Sequence, residues 1–448
     1  MKPSKHNTFC YYPFQQITLK NWAKGIGILS AAPCCNTVNA NNLDPLGILK
    51  DYRQKKLTPT AKQIFHSAQM QELRSSMIKG KRHSACEICW KMEDKNTQNP
   101  SSYRLYSSPV PDFSITNPQM RSIDFGLGEQ CNLRCRMCVP MLSNQLRKDH
   151  RYFSEHNLDV SGIQGFEPMN PNSVNLQKNS HTLVKYFDHG EQWKDILLNI
   201  NDLREIKATG GETTITEPFN QLIDFAIEKD SAKNIDLNFH SNCTKFTNRL
   251  VNKLKKFKSI SVECSIDSTD KNYEYIRYPM SWNKLTASLE NLVSNKEVPI
   301  SQINFTVVMT SLNAFHMQSL WNYQFSLWEK YKHIRHYNFF IDLVKPENKF
   351  TNVKFLTPEL KQQLIDLYSD IQSSSTQRTY DEYNNSYCDL DPKLQVSIDY
   401  LKSCLDYQPS DQDRKNMLRE ITVFDQSRNQ SYRDYLDFRI IKYLETPL

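Results

Sequence analysis

The chain has 448 residues, with 56 lysines and arginines against 49 aspartates and glutamates, a formal net charge of +7. So slight and dispersed an excess gives no nucleic-acid footprint, and the sequence holds no run of about 18 apolar residues that would read as a membrane span. The length accommodates two or three domains, and clustered cysteines behind a start without the apolar core of a signal peptide predict a reducing, cytoplasmic setting.

The N-terminal region, residues 1–110, carries Cys10, the pair Cys34-Cys35, and Cys86-Glu-Ile-Cys89. A Cys-x2-Cys pair can occupy two vertices of one metal site, with distant cysteines supplying the others. Four sulfur ligands would serve an iron-sulfur cluster or a structural zinc ribbon equally well. Residues 36–62 lack a clear period and read as loop and connector.

From about residue 119, short β-rich runs alternate with helical ones, the pattern of βα units around a parallel sheet. The first run, Met120–Phe125, feeds an array in which Cys131, Cys135 and Cys138 stand as Cys-x3-Cys-x2-Cys. These offsets also fall on one helix face, so a buried stripe is the bland alternative. Against it, Asn132, Arg134 and Arg136 lie between the cysteines, Pro140 follows, and Gly126 and Gly128 precede them, which together describe a loop. Soft thiolates at close spacing select zinc, copper(I) or iron-sulfur. Three local cysteines without a nearby fourth suit a cubane with one iron left open for a chelating cofactor.

The segment Glu129-Gln-Cys-Asn-Leu-Arg-Cys135, ending in Cys135-Arg-Met-Cys138, resembles the cluster loop of the radical S-adenosylmethionine superfamily. Its ending is similar to the branch that carries twitch or SPASM-type auxiliary-cluster regions. Met137 stands where most other relatives have an aromatic residue, and it is apolar enough to pack on an adenine. The resemblance implies a partial (β/α)6 TIM-like barrel over residues 111–345 and a 4Fe-4S cluster on Cys131, Cys135 and Cys138. It also implies an N-terminal twitch-like region over residues 1–110 with an auxiliary iron-sulfur cluster on Cys10, Cys34, Cys86 and Cys89, Cys35 being the substitute for Cys34. Within that region Phe9–Phe14, Pro33-Cys34-Cys35, Leu73-Arg74-Ser-Ser-Met77 and Cys86-x2-Cys89, with Glu93 and Ser101–Arg104 behind the last, stand in the order such relatives show.

Residues 141–200 are polar and Asn-rich and predict a helix, an irregular insertion and a second helix through Trp193. Next, the strand Arg204–Thr209 runs into Gly210-Gly211-Glu212-Thr213. Only 11 glycines occur in the chain and none follows Gly211, so adjacent glycines at a strand end have weight. The segment resembles the superfamily's Gly-Gly-Glu-Pro motif, with Thr213 for proline; the resemblance gives Gly210, Gly211 and Glu212 the amino group of S-adenosylmethionine. Further strands are expected at Ile235–His240, Ser259–Ile266, Ile303–Met309 and His336–Val344, six in all.

Ser265-Ile-Asp267-Ser268 resembles a family strand end of Ser-Ile-Asp-Gly, and Tyr275-Ile-Arg277 the start of the following helix. By that likeness Ser265 and Arg277 meet the cofactor's carboxylate, with Asp267 beside them. Asn242, in a turn similar to Thr-Asn-Gly-Thr, and Asn313 are further cofactor-binding candidates. Cys243, Cys264, Cys388 and Cys404 lack metal spacing and read as core or incidental, with Cys388 and Cys404 the alternatives as additional auxiliary ligands.

Thr357 reads as an N-cap before Pro358, residues 372–390 as a linker, and residues 346–448 as a C-terminal helical extension. The activity implied is reductive cleavage of S-adenosylmethionine to a 5′-deoxyadenosyl radical, with hydrogen abstraction from a substrate for which a peptide or protein is preferred. An electron donor such as flavodoxin or ferredoxin would be needed. The rival from another class is a zinc-stabilised, non-catalytic binding module.

Overall fold

The computed structural model describes residues 2–4, 6–20, 30–37, 44–54, 59–95, 102–140, 142–163, 165–166, 199–343, 350–375, 380–381, 386–389 and 391–446. It is a mixed α/β protein with two compact units. The first comprises Met1–Gly128, Asn172–Phe239 and Lys256–Ser259, and the second Glu129–Pro171, His240–Lys255 and Ile260–Leu448.

In the first unit β1 (Gln16–Lys20) pairs antiparallel with β2 (Ser30–Ala32) on one side and parallel with β3 (Ser122–Gly126) on the other. Parallel pairing continues through β4 (Glu205–Thr209) to β5 (Asp236–Ser241). The N-terminal region therefore supplies two strands to the sheet that carries β3, a connection the sequence analysis missed. Its signal was the alternation Gln-Ile-Thr-Leu-Lys, a half-buried strand's period of two.

In the second unit β6 (Ser259–Ser265), β7 (Ile300–Met309) and β8 (His336–Leu343) lie parallel in register. A short β9 (Tyr380–Asp381) pairs antiparallel with β10 (Ser386–Asp389), which adds to β8 in parallel. Residues 372–390 are thus more than a linker: the helix Pro358–Ser375 runs into them and two strands follow. The six expected strands coincide with β3 to β8, within a few residues at each end.

Alternation along the strands gives them an apolar and a polar face. Ile206 and Ala208 of β4, and Ile260, Val262 and Cys264 of β6, are buried. The apolar stripe Phe219, Leu222, Ile223 and Ala226 of helix Glu217–Glu228 is buried in the first unit, and Leu285, Leu289, Leu292 and Val293 of helix Trp282–Val293 in the second. The opposite face is polar. In the first unit Gln16, Ser122 and Glu205 are in register, as are Thr18, Asp124 and Lys207. Ser122 Oγ donates to Glu205 Oε2 at 2.7 Å, and Lys207 Nζ lies 3.3 Å from Glu205 and 5.0 Å over the Tyr12 ring. In the second, Asn304 donates to Glu263 at 2.7 Å and Asn338 to Asn304 at 2.6 Å. A parallel sheet covered by helices on both faces would read as nearly continuous apolar strands; these strands do not.

The helix expected after residue 141 is Arg147–Glu155, whereas the insertion and the second helix through Trp193 fall largely outside the described residues. Thr357 accepts from Leu360 N at 3.4 Å at the start of Pro358–Ser375, as its N-cap reading required. Helices Asp391–Ser403, Asp411–Arg428 and Phe438–Glu445 follow. No helix among the described residues is long and apolar enough to cross a membrane.

Candidate cofactor site

The cysteine array is a loop, not a helix. Its backbone is pinned by Arg134 N to Tyr278 O at 2.7 Å and Arg136 N to Ile276 O at 2.9 Å. Asn144 closes the other side: its Oδ1 accepts from Cys131 N at 3.2 Å, and its own N–H donates to Glu129 O at 2.9 Å. Cys131 and Cys135 are buried, Cys138 half-buried, and Met137 and Met280 pack against them.

N–H donors face the sulfurs of Cys131 and Cys135. Leu133 N donates to Cys131 Sγ at 3.4 Å, Asn242 Nδ2 stands 4.0 Å from the same sulfur, and Arg277 Nη1 lies 3.7 Å from Cys135 Sγ. Burial pushes the Cys135 thiol up to about 12, against the pull of the Arg277 guanidinium. Such donors would stabilise thiolates once a soft metal group replaced the protons, so the donor set fits an iron-sulfur cluster.

Arg277 is fixed by Asp267, whose Oδ2 accepts from Nε at 2.5 Å and whose Oδ1 accepts from Val308 N at 2.7 Å. Asp267 is thus an anchor at the end of β6 and places the guanidinium against Cys135. Ser265, the last residue of β6, is half-buried. Asn242 also donates to Asn132 Oδ1 at 2.8 Å, which ties its turn to the cysteine loop. Cys243 follows at φ +61°, in the left-handed region that a glycine would occupy more cheaply. Asn313 is fully buried and braces the end of β7: its Nδ2 donates to Asp267 O and Val308 O, and its Oδ1 accepts from Thr310 N and Oγ1.

In the first unit, β3 and β4 end together. Leu127 N donates to Thr209 O at 2.7 Å and Gly211 N to Gly128 O at 2.8 Å. Gly128 adopts φ +90°, where a side chain would be strained, and a Cβ on Gly210 would stand 3.2 Å from Gly128 O, a tight contact that glycine avoids. Glu212 is fully buried, and its Oε1 accepts from Thr214 N at 3.1 Å and Oγ1 at 2.6 Å, shaping the turn before helix Glu217–Glu228. Thr213, in the usual proline's place, keeps a buried hydroxyl without a partner among the described residues.

Cys10, Cys34, Cys86 and Cys89 line one pocket of the first unit with Tyr103 and Arg104. Burial raises all four thiols, Cys10 to about 11. Behind the pocket Arg104 and Glu93 form a buried ion pair at 2.5 Å, Arg104 also donates to Phe9 O at 2.8 Å, and Ser102 Oγ donates to Glu93. Arg74 is bound as firmly, to Pro13 O and Phe65 O, both at 2.7 Å. The structure thus gathers the four cysteines that the spacing left scattered over 80 residues. Among the described residues no three His, Cys, Asp or Glu side chains are arranged to hold a single metal ion.

No protein-family model matches the chain, and no curated protein matches it in sequence. Among solved structures it is similar to Streptococcus suis SuiB bound to S-adenosylmethionine, at 13% identity and a TM-score of 0.37, over 87% of this chain and 66% of SuiB. It is also similar to anSMEcpe with bound AdoMet, at 15% identity and a TM-score of 0.35, over 60% of this chain and 63% of that one. SuiB has also been solved bound to the precursor peptide SuiA; that match has 14% identity, a TM-score of 0.36, and covers 80% of this chain and 72% of SuiB.

Proposed function

We propose that the chain is a radical S-adenosylmethionine enzyme with a partial (β/α)6 barrel, a twitch-like N-terminal region and a peptide or protein substrate. The observation that carries this reading is the loop of Cys131, Cys135 and Cys138, with the N–H groups of Leu133 and Asn242 on the Cys131 sulfur and that of Arg277 on the Cys135 sulfur. When bound, the cluster would supply the electron that cleaves S-adenosylmethionine to methionine and the 5′-deoxyadenosyl radical.

The protein's own residues bind and orient. Cys131, Cys135 and Cys138 supply three thiolates, and Arg277, held by Asp267, offsets their charge and offers its remaining donors to a carboxylate. Ser265 and Asn242 flank the same loop's partners, and Met137 offers an apolar surface to an adenine. Gly210 and Gly211 let backbone approach a ligand, and Glu212 accepts from an ammonium in this reading. Asn313 acts through Asp267 rather than on a ligand. Cys10, Cys34, Cys86 and Cys89 would hold the auxiliary cluster, and the reducing compartment and the flavodoxin- or ferredoxin-type donor follow from the chemistry.

The test is anaerobic reconstitution with iron and sulfide, reduction with dithionite, addition of S-adenosylmethionine, and assay of 5′-deoxyadenosine with iron and zinc content. The expected result is 5′-deoxyadenosine formation that Cys135→Ala abolishes. Zinc in place of iron, with no cleavage, would overturn the reading in favour of the zinc-stabilised binding module.

A further inference from the structure

The two arginines interleaved with the cysteines, Arg134 and Arg136, have no role in the reading above, yet both are held by buried carboxylates. Arg136 is 3% exposed; its Nη2 donates to Asp425 Oδ1 at 2.5 Å and to Gln430 Oε1 at 3.2 Å, and its Nε donates to Tyr275 O at 3.1 Å. The guanidinium stacks 3.5 Å over the Tyr275 ring, whose hydroxyl donates to Asp425 Oδ1 at 2.8 Å. Asp425 Oδ2 accepts from Tyr432 N at 2.7 Å.

Arg134 Nη1 donates to Asp149 Oδ1 at 3.0 Å, and Arg428 Nη2 donates to Asp149 Oδ2 at 3.0 Å; Asp149 and Arg428 are both wholly buried at the side chain. Ser427 Oγ adds 2.7 Å to Asp149. Asp425, Ser427 and Arg428 all lie on the helix Asp411–Arg428, nearly 300 residues after the loop. Around them Phe424, Phe153 and Phe166 meet at ring distances of 5.3 to 5.5 Å, and Cys138 packs against that cluster.

Arg136 and Arg428 are buried and Arg134 is half-buried, so removing Asp425 or Asp149 strands a buried cation without water. We infer that the helix Asp411–Arg428 is part of the cofactor site's scaffold: Asp425, and Arg428 through Asp149, hold Arg136 and Arg134 and thereby fix the backbone of the loop that carries the three cysteines. Asp425 and Arg428 are positioning residues. The inference rests on the proposed role of Cys131, Cys135 and Cys138, but its geometry can be read without any metal.

The test uses the full-length, metal-free protein under anaerobic conditions, pulsed with iodoacetamide and read cysteine by cysteine by mass spectrometry. In Asp425→Asn and Arg428→Met, Cys131, Cys135 and Cys138 are expected to label about tenfold faster than in the parent, since a lost charge-assisted hydrogen bond shifts local opening by about that factor. Cys10, Cys34, Cys86 and Cys89 should keep their rates, and Asp411→Asn, on the exposed start of the same helix, should change none. Tyr275→Phe removes one hydrogen bond to Asp425 and should give a smaller acceleration at the same three cysteines, which decides the matter if a charge variant fails to fold.

Unchanged labelling in all variants, or equal acceleration at every cysteine in Tyr275→Phe, would overturn the scaffold role. Reconstituted Asp425→Asn should also hold less iron and show an altered cluster EPR signal. If instead Cys135→Ala keeps all the iron of the parent, the functional reading fails, while the labelling result still stands or falls alone.

Discussion

At the scale of single residues, several positions hold a polar atom where the local geometry has no use for one. Ser268 stands in place of a glycine after Asp267, and its hydroxyl is buried without a partner among the described residues. A buried hydroxyl left unpaired costs about 1–3 kcal/mol of desolvation. Ser268→Ala is therefore expected to stabilise the metal-free protein by up to about 1 kcal/mol, after the small loss of packing. The check is the midpoint of urea unfolding, and a loss of more than that amount would show that the hydroxyl has a partner. Cys243 illustrates a second kind of departure: its φ of +61° shows why a glycine is usual in such a turn, and nothing in the sequence announces that the cysteine tolerates it. Asp267 shows what a motif leaves unsaid: its two oxygens accept from Arg277 Nε and Val308 N, a brace that no local pattern announces.

At the scale of elements, the strands that feed the site were legible because each is a run of alternating or β-branched residues ending in a turn signal. Strands β3 to β8 fall where that pattern put them. What stayed hidden was pairing over long separations: β1 reaching β3 across about a hundred residues, and β10 joining β8, depend on tertiary register that no local period carries. The cysteine pocket of the first unit is similar. Spacing supplied the candidates Cys10, Cys34, Cys86 and Cys89, but not the brace behind them, in which Glu93, on the helix Glu87–Lys95, pairs with Arg104 at 2.5 Å. Arg104 is 2% exposed, so Glu93→Ala leaves a buried guanidinium unpaired, at a cost of about 3–5 kcal/mol. Because that guanidinium also holds Phe9 O beside Cys10, the expected outcome is loss of metal from the N-terminal site with 5′-deoxyadenosine formation still measurable. Full iron content in this variant would show that the pair is not what holds the pocket together.

At the scale of the whole molecule, the two cysteine sets draw on different compact units, Cys10, Cys34, Cys86 and Cys89 on the first and Cys131, Cys135 and Cys138 on the second. The thiols of each set must lose protons to bind metal, so metal affinity and folding are linked at each set separately. Metal bound only by the native state stabilises it by mass action, and its removal should loosen first the segments that carry the ligands. Fully reconstituted protein is expected to hold about eight irons if both sites carry 4Fe-4S clusters; Cys131→Ala/Cys135→Ala/Cys138→Ala should remove about half, and Cys10→Ala/Cys86→Ala about the other half. Hydrogen exchange should then rise in residues 129–144 and 421–430 for the first variant, because the loop and the helix Asp411–Arg428 share the buried Arg136–Asp425 pair. For the second it should rise in residues 9–14 and 84–95, which hold Cys10 and, at the start of the helix Glu87–Lys95, Cys86 and Cys89. A variant in one set that empties both would mean that the ligands are shared between them, and the assignment of two independent clusters would fall.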